Sequence, residues 1–452
     1  MFAVLGFVAT LALVTGLIHL YLWKRLVRDT TTAGRWRRAG TIAAVGLAVL
    51  VPATLIGTNA GMYWLAWPGY LWLALMFYLL VLLAALEIPL LVTRLVLRRR
   101  AAGSAPEPVL AGPATPASVA SGPANSATPA SVASGPANSA TGSASGEPTS
   151  ASTPPADEPA AAPATVGAAR PDHDPSRRLL LARGAAIFAG LTAAGLVGHG
   201  VRTAFGPPQL DRVQIRLAKL PRSMDGLRIA TVSDIHIGPL RGRVHTEQIV
   251  AAINRLDADI VAVVGDLVDG TVAELGEAAA PLRGLRSRYG SYFVTGNHEY
   301  YSGVEEWVTE VDRLGLRVLQ NQRLEIAARG GVIDLAGVND VSATGSGVSA
   351  PADYAAALGD RDPSRPVVLL AHQPVAAVEA AKYGVDLQLS GHTHGGQMVP
   401  FNLLVGLEQP VVSGLGEVDG TKVYVTNGAG FWGPPVRVGA EPQISLVELR
   451  AE

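Results

Sequence analysis

The chain contains no cysteine. That excludes a disulfide framework, a thiolate nucleophile and a thiolate metal site, so any metal ion would rest on His, Asp, Glu or Asn. Charge is scarce as well: Asp, Glu, Lys and Arg make up 16% of the 452 residues, where a soluble globular domain carries about a quarter. Lysine is nearly absent, 4 residues against 32 arginines, and the formal net charge is −1. No overall field draws the chain to nucleic acid, and no nucleic-acid partner is expected. What is plentiful is apolar: 49% of the residues are hydrophobic and the mean hydropathy is +0.28.

The apolar residues are gathered in runs. Residues 1–23, "MFAVLGFVATLALVTGLIHLYLW", match the ~20 residues that cover a ~30 Å bilayer core. Residues 41–57 form a shorter run, in which Pro52 is tolerable inside a helix bundle. The run from Met62 to Leu97 is longer than one span needs. Trp64, Trp67, Tyr70, Trp72 and Tyr78 crowd its first half as interfacial anchors do, which sets its core at about 70–97. Residues 1–100 are therefore expected to be an all-α membrane region with three transmembrane helices. His19 and Glu87 are its notable polar residues, and Glu87 has no obvious partner in the sequence. Lys24, Arg25, Arg28, Arg35, Arg37 and Arg38 lie between spans one and two, and Arg94, Arg98, Arg99 and Arg100 follow span three, whereas the loop "TNAG" carries no charge. The basic segments are expected in the cytoplasm and the N-terminus outside.

Residues 101–176 change character. "ATPASVASGPANS" occurs at 114–126 and again at 127–139, within a tract of Ala, Ser, Pro, Thr and Gly. A repeat used twice and lacking large apolar side chains builds no core, so a disordered linker is expected. Residues 177–204 are apolar again, led by Arg177, Arg178 and Arg183. They read either as a fourth transmembrane helix or as a twin-arginine-like export segment. Either way residues 205–452 are expected outside the cytoplasm, on a multi-pass protein of the cell membrane.

From Leu210 onward short β-branched runs alternate with helical stretches, an α/β pattern. Five apolar runs end on residues able to ligate a metal: "LRIATVSDIH" on Asp234 and His236, "IVAVVGDLVD" on Asp266 and Asp269, "SYFVTGNHE" on Asn297 and His298, "VVLLAHQP" on His372, and "VDLQLSGHTH" on His392 and His394. Each alone has a bland reading as a helix cap, a turn or a structural histidine. Together they do not, because five of the nine histidines fall at strand ends. The carboxyl edge is where open α/β sheets gather their sites.

The ordered series D-x-H, G-D-x-x-D, G-N-H-E, H and G-H-x-H resembles the calcineurin-like metallophosphoesterase superfamily over about 210–452. "GHTHGGQ" and "TNGAGFWGPPVR" (426–437) are similar to a bacterial, membrane-attached branch of it. The fourth block, resting on His372 alone, departs most from a full motif. The resemblance implies a two-sheet β-sandwich flanked by helices, an αββα layering. It also implies two divalent metal ions, one on Asp234, His236 and His394, the other on Asn297, His372 and His392, with Asp266 bridging. That mixed donor set suits Mn, Fe or Zn. Asp269 is expected to orient a ligand rather than bind a metal. The activity implied is phosphoester hydrolysis by a metal-bridging hydroxide, with His298 as the general acid.

The substrate is harder to read. Phe431, Trp432, Tyr300 and Tyr301 either wall a pocket or belong to loop core. Placement beside a membrane points to a phosphodiester of a lipid or of the cell envelope. A competing reading is a membrane sensor or scaffold whose phosphoesterase-like domain only binds; the complete ligand set argues against it.

Overall fold

The computed structural model describes residues 2–103 and 175–452. The expected linker lies outside the described residues apart from its two ends, which are helical. Four long helices come first: α1 (Phe2–Trp23), α2 (Arg35–Asn59), α3 (Ala66–Gly103) and α4 (Pro175–Ala204). Among the described residues, three stretches are long and apolar enough to cross a membrane: Arg35–Thr58, Tyr63–Thr93 and Arg178–Ala204. The expected first span falls in α1, most of whose early side chains lie outside the described residues. Pro52 sits inside α2 without ending it.

Contrary to the expectation for Glu87, that carboxylate has partners. The Tyr21 hydroxyl donates to its Oε1 at 3.1 Å, and Arg25 pairs with the same oxygen. His19 is likewise satisfied, accepting from Trp72 Nε1 at 3.0 Å. A carboxylate within an apolar bundle is costly unless paired. Both of Glu87's partners come from the first helical segment, far away in sequence.

The remainder of the chain folds as two six-stranded sheets with helices outside them. The first sheet runs β1 (Gln209–Leu217), β12 (Gln443–Ala451), β2 (Leu227–Val232), β3 (Ile260–Val264), β4 (Ser291–Val294) and β5 (Arg317–Val318). The second runs β10 (Gly414–Val418), β11 (Thr421–Val425), β9 (Leu387–Ser390), β8 (Val367–Leu370), β7 (Gly331–Gly337) and β6 (Gln322–Ala328). Strands β2 to β5 are mutually parallel, as are β7, β8, β9 and β11.

The period-2 alternation of β3 shows how the layers form. Ile260, Ala262 and Val264 face the second sheet and pack with Leu335, Val368 and Leu389. Val261 and Val263 face outward to a helix layer that includes Ile249 and Ile253 of α5 (Arg243–Asn254) and Trp307 and Val311 of α8 (Val304–Arg313). A strand buried on both faces needs an unbroken apolar run, and that is how β3 reads. Each such side chain taken fully from water contributes roughly 1.5–3 kcal/mol. On the far side of the second sheet, Val367 and Leu369 pack on the short helices Tyr354–Leu358 and Ala377–Ala380. The result is the αββα layering, with the carboxyl ends of both parallel sets on one shared edge.

Candidate metal centre

Every predicted ligand lies on that shared edge, just past the end of a strand. Asp234 and His236 follow β2, Asp266 follows β3, Asn297 and His298 open α7 (Asn297–Ser302) after β4, His372 follows β8, and His392 and His394 follow β9. Leaving a strand so abruptly distorts the backbone. Asp234, His236, Asp266, His392 and His394 all have positive φ, between 47° and 70°. Non-glycine residues in this region cost of order 1 kcal/mol or more each, and such strain gathers at functional sites. Gly391 makes the approach of the two sheets possible: a Cβ there would collide with Ser233 and the Asp234 carboxylate.

The side chains form three overlapping groups whose ligand atoms lie within 4.8 Å of one another: Asp234–His236–His394, Asp266–His372–His392 and His236–Asp266–His298. In the first, His394 Nε2 is 3.4 Å from Asp234 Oδ1 and 3.0 Å from His236 Nε2. In the second, His372 Nε2 is 3.1 Å from Asp266 Oδ2, and Asn297 Oδ1 is 3.0 Å from His392 Nδ1. His236 Nε2 lies 3.9 Å from Asp266 Oδ2, so Asp266 stands between the groups. Donors that share one ion at about 2.0–2.2 Å stand about 3–3.5 Å apart. The spacing fits.

For His372 the tautomer fits too. His372 Nδ1 donates to the Val264 carbonyl at 2.8 Å, which leaves a lone pair on Nε2. That atom is buried without a hydrogen-bond partner and faces a carboxylate oxygen. Two acceptors at such a distance require a cation between them, whether a proton or a metal ion. Despite burial, the Asp266 carboxylate raises the His372 pKa well above the usual histidine range, and His372 lowers that of Asp266 well below the usual carboxylate range. His236 repeats the pattern, with Nδ1 bonded to Asp269 Oδ1 at 2.7 Å and Nε2 aimed at His394.

Asp269 binds two imidazoles with one oxygen, since His298 Nδ1 is also 2.8 Å from Asp269 Oδ1. Burial alone would lower the His298 pKa. The Asp269 hydrogen bond and the Asp266 and Asp269 charges outweigh it and raise that pKa to about 9. The Asp269 carboxylate thus favours the protonated form of His298, which lies edge-on to His236 with ring centroids 4.6 Å apart.

Three residues gain roles that no motif assigned them. Glu299 is fully buried and accepts backbone N–H groups from Asp266 (3.0 Å), Leu267 (2.8 Å) and Gly296 (2.5 Å), so it clasps the β3 and β4 loops together. Burial and the Asp266 charge push its pKa up to about 7. Arg437, fully buried, donates to the carbonyls of His394 (2.8 Å) and Asn427 (2.8 Å), and its Nη2 is 3.0 Å from His394 Nδ1. Burial lowers its pKa only to about 10, so it stays a cation. Arg241 lies between aromatic rings, 4.5 Å from the centroid of Phe431 and 5.4 Å from that of Phe205. The motif "GNHE" already contains Glu299; nothing in the spacing of Arg437 or Arg241 marks them. The aromatic residues divide: Phe431 is buried, while Trp432 and Tyr301 are exposed.

The same stretch of chain matches known proteins. A family model described as calcineurin-like phosphoesterase covers residues 227–396. The chain is 40% identical over 293 residues to a Bos taurus protein named "Transmembrane protein with metallophosphoesterase domain", an alignment covering 62% of this chain and 64% of that protein. It is 37% identical over 281 residues to a metallophosphoesterase of Helicobacter pylori, covering 62% of this chain and 74% of that one. The match thus spans slightly under two thirds of the animal relative's length. Among solved structures, phosphopantetheinyl hydrolase from Mycobacterium tuberculosis aligns with a TM-score of 0.30 at 15% identity, over 47% of this chain and 91% of that one.

Proposed function

The chain belongs to the calcineurin-like metallophosphoesterases, and on that premise we propose that it is a membrane-anchored, binuclear metal-dependent phosphodiesterase acting on a lipid or cell-envelope phosphoester. It would be of the membrane-attached bacterial kind. The observation that carries this reading is the pair of ligand groups joined through Asp266. Asp234, His236 and His394 would hold one ion, Asn297, His372 and His392 the other, and Asp266 both. Mn, Fe or Zn suits these donors. When bound, the ions supply Lewis acidity toward the phosphoryl oxygens and a water of lowered pKa as nucleophile.

The chain's own residues do the rest. Asp269 orients His236 through Nδ1 and aims its Nε2 inward. The same carboxylate holds His298 as an imidazolium that can give its proton to the leaving alkoxide. Glu299 keeps Asp266 in register with the Asn297–His298 turn.

The bundle supports a location outside the cytoplasm. Loop 24–34, rich in basic residues, meets α4 near its start, where Arg183 Nε donates to Thr30 O at 3.0 Å. The opposite end meets the αββα domain: Tyr63 donates to Glu274 at 2.7 Å, and Trp67 stacks on Phe205 at 5.6 Å. With the basic end inside, the domain is outside.

The test is metal content together with hydrolysis of bis(p-nitrophenyl) phosphate by the full chain. About two ions per chain and metal-dependent turnover are expected, and both should fall in His392→Ala. A stoichiometric protein that binds metal and turns over no phosphoester overturns the enzymatic reading.

A further inference from the structure

The metal edge does not stand clear of the helical bundle. Gln397, three residues beyond His394, and Val438 are zipped together, with Val438 N donating to Gln397 O at 2.9 Å and Val399 N to Val438 O at 3.0 Å. This pair of loops rests on the membrane helices. Met398, Val436 and Val438 belong to the same apolar cluster as Ala74, Tyr78 and Val197, and Arg437 N donates to Gly200 O of α4 at 3.0 Å.

The chain then continues through Phe401 into the short helix Asn402–Val405. Phe401 packs edge-on against Phe77 of α3, with centroids 6.2 Å apart. The depth of that contact is informative. Counting back from Arg94, about 20 residues at about 1.5 Å each fill a ~30 Å hydrocarbon core and end near Ala74. Phe77 is inside that limit, below the belt of Trp64, Trp67, Tyr70 and Trp72. Beside it, Leu403, Leu404 and Leu407 are 69%, 58% and 84% exposed. Three exposed leucines within six residues of Phe401, whose ring meets α3 at that depth, suit an acyl-chain surrounding.

We propose that residues 399–407 form a monotopic element embedded in the leaflet on the domain's side, with Leu403, Leu404 and Leu407 among the acyl chains. The element continues the interface that Met398, Val436 and Val438 make with the bundle. It opens the metal edge laterally to the membrane, so the phosphoester reaches His394 while its acyl chains stay in the leaflet. This last step rests on the function proposed above; the embedding does not.

The absence of native cysteine makes the test direct. Single cysteines at Leu404→Cys and Leu407→Cys in the full chain, carrying a nitrobenzoxadiazole label, are placed in phosphatidylethanolamine/phosphatidylglycerol vesicles. Arg286→Cys, before β4 at the sheet edge opposite the metals, serves as the aqueous control. Doxyl-labelled lipid should quench labels 404 and 407 at least twofold more than label 286, and aqueous iodide should quench them less. Quenching at 404 and 407 like that at 286 overturns the embedding. So does shielding from both quenchers, which would mean a protein partner, such as a second copy of the chain.

A second arm compares the Leu403→Ser/Leu404→Ser/Leu407→Ser variant with the unaltered chain. Turnover of dioleoylphosphatidyl-p-nitrophenol in the same vesicles should fall at least tenfold, while bis(p-nitrophenyl) phosphate turnover stays within twofold. Equal loss on both esters, or loss on neither, overturns the lateral route. An unaltered chain that hydrolyses neither ester refutes the proposed function, and the quenching still decides the embedding.

Discussion

Replacing Glu299 by alanine tests whether the metal centre is held by its ligands alone or by the carboxylate beneath them. The side chain is fully buried and satisfies three backbone donors, those of Asp266, Leu267 and Gly296. Each buried donor left unpaired costs about 1–3 kcal/mol. Water entering the space left behind would satisfy part of the deficit, so about 3 kcal/mol is the expected net loss. For a domain of this size each kcal/mol lowers Tm by roughly 2–4 °C, which gives a drop of about 6–12 °C. Glu299→Gln keeps one acceptor oxygen but turns an amide N–H₂ toward backbone donors, and should lose about half as much. Because Asp266 sits on the loop that is released, metal affinity should fall about 10–100-fold in Glu299→Ala. The assay is thermal unfolding of the metal-stripped full chain in detergent, with metal titration after it. A Glu299→Ala protein that melts within about 1 °C of the unaltered chain and loads metal equally would refute the clasp.

Four further outcomes are expected. His298→Ala should retain its metal yet lose about 10²–10⁴-fold in kcat on alkyl phosphodiesters, and far less on p-nitrophenyl esters, whose leaving group needs no proton. Since a general acid must be protonated, activity on the alkyl esters should fall as pH rises through the His298 pKa. That pKa is about 9 without metal and is drawn lower by bound cations, so the limb lies at or below about pH 9 and should flatten in His298→Asn. His392→Ala should reduce the metal bound per chain by atomic emission, in contrast to His298→Ala. Gly391→Ala, which drives a methyl group into Ser233 and Asp234, should lower both stability and metal content.

The ligand-bearing strand ends were legible because the constraint is local. A parallel strand buried on both faces must be an unbroken apolar run, and the residues just after it must emerge at the carboxyl edge. So "IVAVVGD" and "LQLSGH" announce both the strand and the position of its ligand. Glu299 was visible inside "GNHE", but its task was not. Accepting from Asp266 and Leu267 depends on β3 and β4 lying side by side in one register. Arg437 was not legible at all: it meets His394 because the loop after β11 folds back under the "GHTHGG" turn. Glu87 looked unpartnered for the same kind of reason, its partners Arg25 and Tyr21 lying on another helical segment.

By itself, then, the sequence determined which residues could bind metal, at which strand ends they stand, and which runs suit a bilayer. Each of these comes from periodicity and side-chain chemistry within about ten residues. Only the tertiary structure decided that ligands from two different sheets meet around Asp266, that Glu299 and Arg437 brace them, and that Phe401 lies against Phe77 with bare leucines beside it. Those outcomes depend on sheet order and on how the loops cross one edge, which pair residues with no fixed separation along the chain.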